Sequence, residues 1–411
     1  MEEKLDIVFF TLFRTDNPYS SISLSMAKEL AKTHRVFYVN HPYSLKDLVV
    51  GLFRGDKMLR SRMPWLVSGR VRYEGLDALP HNFVAAQPPL TLPINWLPKG
   101  RVYDFFQRLN NRVALRAIRR ALSDHNVRNY VYINCYDPFF AGCLPKEMGA
   151  RLCIYHCIDD ITQDPYTAKH GTDLEHEAIR NADVTLVTST NLRRLKQPLS
   201  ERVRTFFNAA DVSVFRKVIS EKFPRPAALE GRKGHVVGFI GNLDELRIDY
   251  DLLKKIALAN MDKTLLLVGP VNSPKPKALG LDKLPNVVFA GSRPLEQLPP
   301  LLQHMDVVLI PFLCNTLTAS IYPLKINEYL AAGKPVVSTS FSEDIRSFAN
   351  CIYLSENHEE FIRRIDEAIA ENSAELSQRR VEVADANTWE TRIKQLWEIM
   401  DAHLLDAAKN P

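Results

Sequence analysis

The sequence predicts an α/β protein made of two strand–turn–helix halves, and three observations predict it. Short apolar runs bounded by polar residues (Leu5–Leu12, Val36–Val39, His235–Ile240, Thr264–Val268) read as buried strands. Turns and segments with apolar residues at helical spacing come between them, the alternation that builds doubly wound sheets. Residues 216–234 are rich in Pro, Lys, Arg and Gly and read as a linker between the halves. A chain of 411 residues fits two such domains.

Composition narrows the class. Apolar and charged shares of 46% and 25% are those of a globular protein, which excludes disordered and fibrous chains. The six cysteines (Cys135, Cys143, Cys153, Cys157, Cys314, Cys351) form no Cys-x-x-Cys pair and read as reduced structural thiols. Cys153, His156 and Cys157 suggest metal, but they fall on a strand at a spacing metal sites do not favour, so no metal is expected. The apolar run Ile7–Phe13 is too short to span a bilayer and follows acidic residues. A cytoplasmic location is expected, with peripheral contact at the inner face of a membrane left open. Residues 1–220 carry 31 Lys and Arg against 22 Asp and Glu, leaving 22 against 26 for the remainder. A basic first half beside an acidic second half points to an anionic partner: lipid head groups, lipid-linked phosphates or nucleic acid.

In the first half, strand Leu5–Leu12 runs into the loop Arg14-Thr15-Asp16-Asn17-Pro18. Ser20 or Ser21 then caps a helix to about Lys32, and strand Val36–Val39 follows. The first loop lacks Gly-x-Gly-x-x-Gly, which argues against a dinucleotide cofactor and an oxidoreductase. Residues 44–72 alternate basic and bulky apolar side chains. They read either as an interfacial amphipathic segment or as a surface excursion, the second favoured because Gly51 and Gly55 interrupt a helix. A helix from about Val102 to Ser123 carries Arg108, Arg112, Arg116, Arg119 and Arg120 on one broad face. Strands Tyr130–Asn134 and Leu152–Cys157 each lead into a polar loop. The second ends in His156-Cys157-Ile158-Asp159-Asp160, where open sheets bind ligands.

In the second half, strand His235–Ile240 leads to the turn Gly241-Asn242. Strands ending at Gly269 and Gly291 follow, then Val307–Pro311. The stretch from Tyr322 to Thr339 reads as loop, helix, Gly-Lys-Pro turn and strand. Pro323 suits a first helical turn, and Gly333 with Pro335 stops the helix. A helix opening there offers free N–H groups and a positive dipole end to a phosphate. Lys325 adds a charge, and Glu328 lies on the same face for sugar hydroxyls. A core helix with Lys325 and Glu328 merely solvated is the plainer reading.

The order Gly238-Phe239-Ile240-Gly241, Leu266–Gly269, Asn286–Gly291, Asp306–Phe312 and Pro323–Val337 resembles the nucleotide-sugar-binding half of GT-B glycosyltransferases. The likeness is to the family 1 and family 4 type, and within it to glucuronosyltransferases and teichuronic-acid-type enzymes of bacterial surface polysaccharide synthesis. Ala182–Ser189 and Asn208–Phe215 resemble that family's segments before the linker. The resemblance implies two facing Rossmann-like domains and a C-terminal helix crossing back. Residues 1–215 become an acceptor-binding domain, 216–234 the linker, 235–385 the nucleotide-sugar domain, and 386–411 the returning helix. It also implies that Glu328 binds the donor ribose, that Lys325 with Gly241 and Asn242 holds the diphosphate, and that Arg247 helps neutralise it. Loops after Gly269 and Gly291, including Arg293, frame the nucleobase, and Tyr322, Pro323 and Leu324 complete the donor site. No cofactor is implied, the nucleotide sugar being substrate and catalysis metal-independent.

The chain departs from that pattern where Ser320 replaces a Glu eight residues before Glu328, where Arg247 lacks a Lys-Gly partner, and at Ala209-Ala210. Asp159 or Asp160 is expected to take the acceptor proton, with His156 beside them and Asp16 and Asn17 on the acceptor side. The alternative is that Asp159 or Asp160 caps the following helix. The function expected is transfer of a sugar from a uridine-type nucleotide donor to a lipid-linked or polysaccharide acceptor, at an anionic membrane surface and without nucleic acid. A sugar-nucleotide epimerase and a non-catalytic binding or scaffold protein are the alternatives.

Overall fold

A computed structural model describes residues 5–16, 21–75 and 80–409. The chain forms two compact units. Unit 1 comprises residues 1–188, 192–206 and 393 onward, and unit 2 comprises residues 189–191 and 207–392.

Unit 1 is built on a sheet of β1 (Asp6–Thr11), β2 (Val36–Asn40), β3 (Arg72–Glu74), β4 (Phe83–Gln87), β5 (Tyr130–Cys135), β6 (Leu152–Cys157), β7 (Val184–Val187) and β8 (Val203–Thr205). Their spatial order is β3-β4-β2-β1-β5-β6-β7-β8, parallel except for the antiparallel edge pair β3–β4. Every residue of β1, β2, β5 and β6 is buried, which is why these strands read as continuous apolar runs. Ser21 caps the first helix by accepting from Leu24 N. The Arg101–Asp124 helix buries Tyr103, Asn110, Ala114, Ala117 and Ile118 along one stripe and leaves the five arginines exposed. The last helix, Trp389–Lys409, enters unit 1 from Ile393 and lays Trp397 against His34, ring centroids 4.6 Å apart.

Residues 45–53 and 57–66 form two helices, so Gly51 does not interrupt a helix as expected, whereas Gly55 does. Leu45–Phe53 opens with a capping box between Ser44 and Asp47, and Lys57–Leu66 opens on the Asp56 carboxylate. Gly51 lies within the first helix because Leu59 of the second packs on its backbone: a Cβ there would stand 2.2 Å from Leu59 Cδ1. Gly55, at φ +75°, makes the turn between them.

Unit 2 carries β9 (Val236–Ile240), β10 (Thr264–Val268), β11 (Val287–Gly291), β12 (Val307–Ile310), β13 (Val336–Thr339) and β14 (Tyr353–Ser355), all parallel. The order β11-β10-β9-β12-β13-β14 reverses direction between β9 and β12, the switch point of a dinucleotide-type fold. The expected linker is not one. Val212–Ser220 is a helix capped by Asp211, and Phe215, Val218 and Leu229 are buried in the core of unit 2. Chain composition hid apolar side chains that pack, so unit 2 begins at Phe207 rather than after residue 234.

Candidate active site

The residues expected at the donor site lie in unit 2, at its strand ends and in the segments that follow them. Gly241 follows β9 and Gly269 follows β10, and their backbones nearly touch. Gly241 N donates to Val268 O at 2.8 Å, and Gly269 N to Gly291 O at 3.0 Å. Gly269 has φ +146°, and a Cβ there would sit 1.8 Å from Gly241 O. No residue with a side chain fits at Gly269, and without side chains the backbone at these strand ends is open to close approach. Asn242 is exposed and its Oδ1 accepts from Asn272 Nδ2 at 3.2 Å. Arg247 is 4.0 Å from the Asp244 carboxylate, while Arg293 is exposed beside Gly291.

Helix Leu324–Ala331 begins at Pro323, and no side chain caps it. Lys325 Nζ donates to Glu328 Oε2 at 2.7 Å, so the two residues singled out on this helix form one ion pair, with Lys325 part-exposed and Glu328 buried. Neither is idly solvated. Tyr322 is buried and stacks on Phe207, centroids 5.1 Å apart, while Asn327 donates to its hydroxyl at 3.3 Å. Tyr322 therefore supports the helix start from within. Ser320, in place of the expected carboxylate, is buried and accepts from Asn191 at 2.9 Å.

The base candidates of unit 1 do not stand as expected. His156 is fully enclosed, its Nδ1 3.4 Å from Cys135 Sγ and its ring edge-on to Phe206. Burial drives its pKa down to about 3, which makes it a weak and unreachable proton acceptor. Asp160 is spent on the capping role: it accepts from Thr162 N at 3.1 Å, Thr162 Oγ1 at 2.8 Å and Gln163 Nε2 at 3.1 Å. Asp159 is half-buried at the end of β6, and its charge, after burial, helps push the Tyr136 hydroxyl well up. Asp16 accepts from the Tyr43 hydroxyl at 2.5 Å and from Arg62, with Arg14 at 3.6 Å. It clamps the Lys57–Leu66 helix to the first loop. Asn17 lies outside the described residues.

Unit 1 has its own switch point, between β1 and β5, and a cavity of about 430 Å³ opens there. His41, directly after β2, lines it, with its Nδ1 2.6 Å from Oδ2 of Asp137, which follows β5. This pair was missed in the sequence. The available signal was a His standing at the carboxyl end of a strand already recognised.

Comparisons with known proteins fit this geometry. Residues 234–371 match the family model of the glycosyl transferases group 1. A Bacillus subtilis (strain 168) protein named as a candidate teichuronic acid biosynthesis glycosyltransferase, TuaH, is 28% identical over 201 residues; the match takes in 48% of this chain and spans half the length of that protein. Among solved structures, sucrose-phosphate synthase of Thermosynechococcus elongatus superposes with a TM-score of 0.66 at 14% identity, covering 98% of this chain and 100% of that one. HepE (Alr3699) of Anabaena, in complex with UDP, gives 0.65 at 14% identity over 97% and 100%. These likenesses establish the GT-B fold.

Proposed function

We propose that this chain, a GT-B protein carrying a group 1 glycosyltransferase domain, moves a sugar from a UDP-sugar to a lipid-linked or polysaccharide acceptor of a cell-surface glycan. The observation that carries the reading is the β9–β12 switch point. There the bare backbone of Gly241 and Gly269 lies within the segment that matches the family, as does the uncapped helix start holding Lys325 and Glu328. The uncapped start of the Leu324–Ala331 helix and its dipole take the diphosphate, close to the side-chain-free backbone of Gly241 and Gly269, and Lys325 and Arg247 offset the charge that develops on the leaving group. Glu328 takes the ribose hydroxyls. The UDP complex of HepE and the teichuronic-acid name of TuaH support the donor and acceptor classes.

Anchoring at an anionic membrane surface belongs to the same proposal. No helix among the described residues is long and apolar enough to cross a membrane. The 45–66 helix pair instead exposes Phe53 (89%), Val49 and Met63 beside Lys46, Arg54, Lys57 and Arg60. A non-catalytic nucleotide-sugar-binding protein is the second reading, favoured by the buried Ser320 where a carboxylate is expected. Release of UDP from a panel of UDP-sugars decides between them. Co-sedimentation with phosphatidylglycerol vesicles, absent with phosphatidylcholine vesicles and lost in Phe53→Asp, tests the membrane.

A further inference from the structure

The Arg101–Asp124 helix carries six arginines and no lysine. At about 3.6 residues per turn, Arg101, Arg108, Arg112, Arg116 and Arg119 fall within a sector of about 80°. The row from Arg108 to Arg119 runs about 16 Å along the helix axis. All five side chains are exposed. The inward stripe, through Ala114, Ile118 and Leu122, is packed in the core of unit 1, so the row stands on a rigid element.

Among the described residues, none of the five forms an ion pair. The carboxylates of this helix lie at its ends. Asp104, exposed in the first turn, is joined to no arginine, and Asp124 is held by Arg120 at 2.8 Å and by the Tyr73 hydroxyl at 2.8 Å. Arginines at i and i+4 repel one another and weaken the helix, and a bound polyanion removes that repulsion. The planar fork of each arginine takes a carboxylate through two parallel hydrogen bonds. Phe105 lies in the same sector, 58% exposed, its ring edge-on to Phe106 with centroids 5.3 Å apart. An open aromatic face suits the C–H face of a sugar ring.

This surface differs in kind from that of the 45–66 helix pair. There, exposed Val49, Phe53 and Met63 stand among the cations, as insertion into a membrane requires. Between Arg108 and Arg119 no large apolar side chain is exposed, so the row meets a partner that stays in water. Single-stranded nucleic acid is held by successive stacking rings, and this row has one.

We propose that the outer face of this helix is a docking track for a linear anionic glycan, with carboxylates along the chain on Arg108, Arg112, Arg116 and Arg119 and a sugar ring on Phe105. The inference rests on the transferase reading above and names the acceptor class, a polymer bearing uronic-acid units. Several weak contacts on one rigid track add up, so a long chain binds where a single uronic acid does not. The track attracts and holds the polymer and takes no part in bond making.

Fluorescently labelled polygalacturonate is the probe, read by anisotropy at low salt. The wild type is expected to bind it, to ignore dextran, and to lose affinity steeply as salt rises. Monomeric galacturonic acid should not compete. Arg112→Gln with Arg116→Gln should weaken binding roughly 10-fold, and Arg112→Lys with Arg116→Lys by less, with the melting temperature and the UDP-induced shift unchanged. Equal affinity in the wild type and the Gln pair, or no binding by the folded wild type, overturns the inference. So does a single-stranded DNA that binds the wild type more tightly than polygalacturonate of the same charge. Loss of phosphatidylglycerol-vesicle binding in the Gln pair, with polygalacturonate binding intact, makes the row a membrane contact and overturns it too. A wild type that binds polygalacturonate through these arginines yet releases no UDP from any UDP-sugar overturns the transferase reading and leaves the anion-binding face in place.

Discussion

Replacing Glu328 by Ala should remove most of the nucleotide affinity of unit 2 without unfolding it. The residue is 7% exposed, and its carboxylate is engaged by Lys325 Nζ at 2.7 Å, one helical turn away. Lys325 is part-exposed, so losing that pair costs about 0.5 kcal/mol. Domains of this kind have ~5–15 kcal/mol to lose. A ribose diol on the carboxylate makes two charge-assisted hydrogen bonds of about 1.5–3 kcal/mol each. Losing ~3 kcal/mol in all weakens UDP binding roughly 150-fold. At a UDP concentration of about 100 times the wild-type Kd, the wild type gains about 2.7 kcal/mol, a shift of roughly 5–10 °C for a domain of this size. The variant, now near ~0.7 Kd at the same concentration, gains only about 0.3 kcal/mol, or roughly 1 °C. Differential scanning fluorimetry with and without UDP reads both numbers. An unliganded variant as stable as the wild type, with an undiminished UDP shift, would refute the assignment of Glu328 to the ribose.

Three further outcomes follow from other sites. Lys196 and Glu175 form an ion pair of 2.7 Å with 5% and 0% side-chain exposure, so Lys196→Met strands a buried carboxylate left with the Tyr155 hydroxyl and the Cys157 thiol as donors among the described residues. The urea midpoint of unit 1 should drop by the equivalent of about 3–5 kcal/mol and largely recover in Lys196→Met with Glu175→Gln; absence of recovery would point to packing instead of charge. Gly269→Ala forces a Cβ toward the Gly241 carbonyl from a left-handed backbone and should cost at least ~2 kcal/mol and abolish the UDP shift; a well-folded variant that still binds UDP contradicts the close-approach argument. Burial holds Lys334, which donates to Gln303 O and Met305 O, down to about 8 against an ordinary 10.5. Between those values the unfolded chain binds more protons, so this residue's contribution to the stability of unit 2 rises with pH across that window. Urea titrations at pH 7.5 and 10 should show a smaller rise in Lys334→Met than in the wild type, and equal rises refute the depressed pKa.

What could be read in the sequence was what a short window contains. Buried parallel strands are contiguous apolar runs, and the glycines that end β9, β10 and β11 sit next to them, so the half that matches the family model was legible. The helices at 45–66 were not, because the cost of Gly51 in a helix is local while the Leu59 contact that outweighs it comes from the next helix. Val212–Ser220 was missed for a related reason: charged and proline-rich neighbours masked Phe215 and Val218, whose partners lie elsewhere in unit 2. His41 and Asp137 are 96 residues apart, and no spacing rule links them. They meet because β2 and β5 both pair with β1, in register from Ile7 to Thr11 on each side, so the residues just past those strands emerge at one end of the sheet. The environments of the other strand-end candidates were equally hidden from the sequence. Asp160 and His156 are also near a strand end, but Asp160 turns back to cap the chain and His156, within β6, points into the core. His41 differs from both: it follows its strand instead of lying within it, lines a cavity, and pairs with a buried carboxylate that no short window of sequence could have supplied.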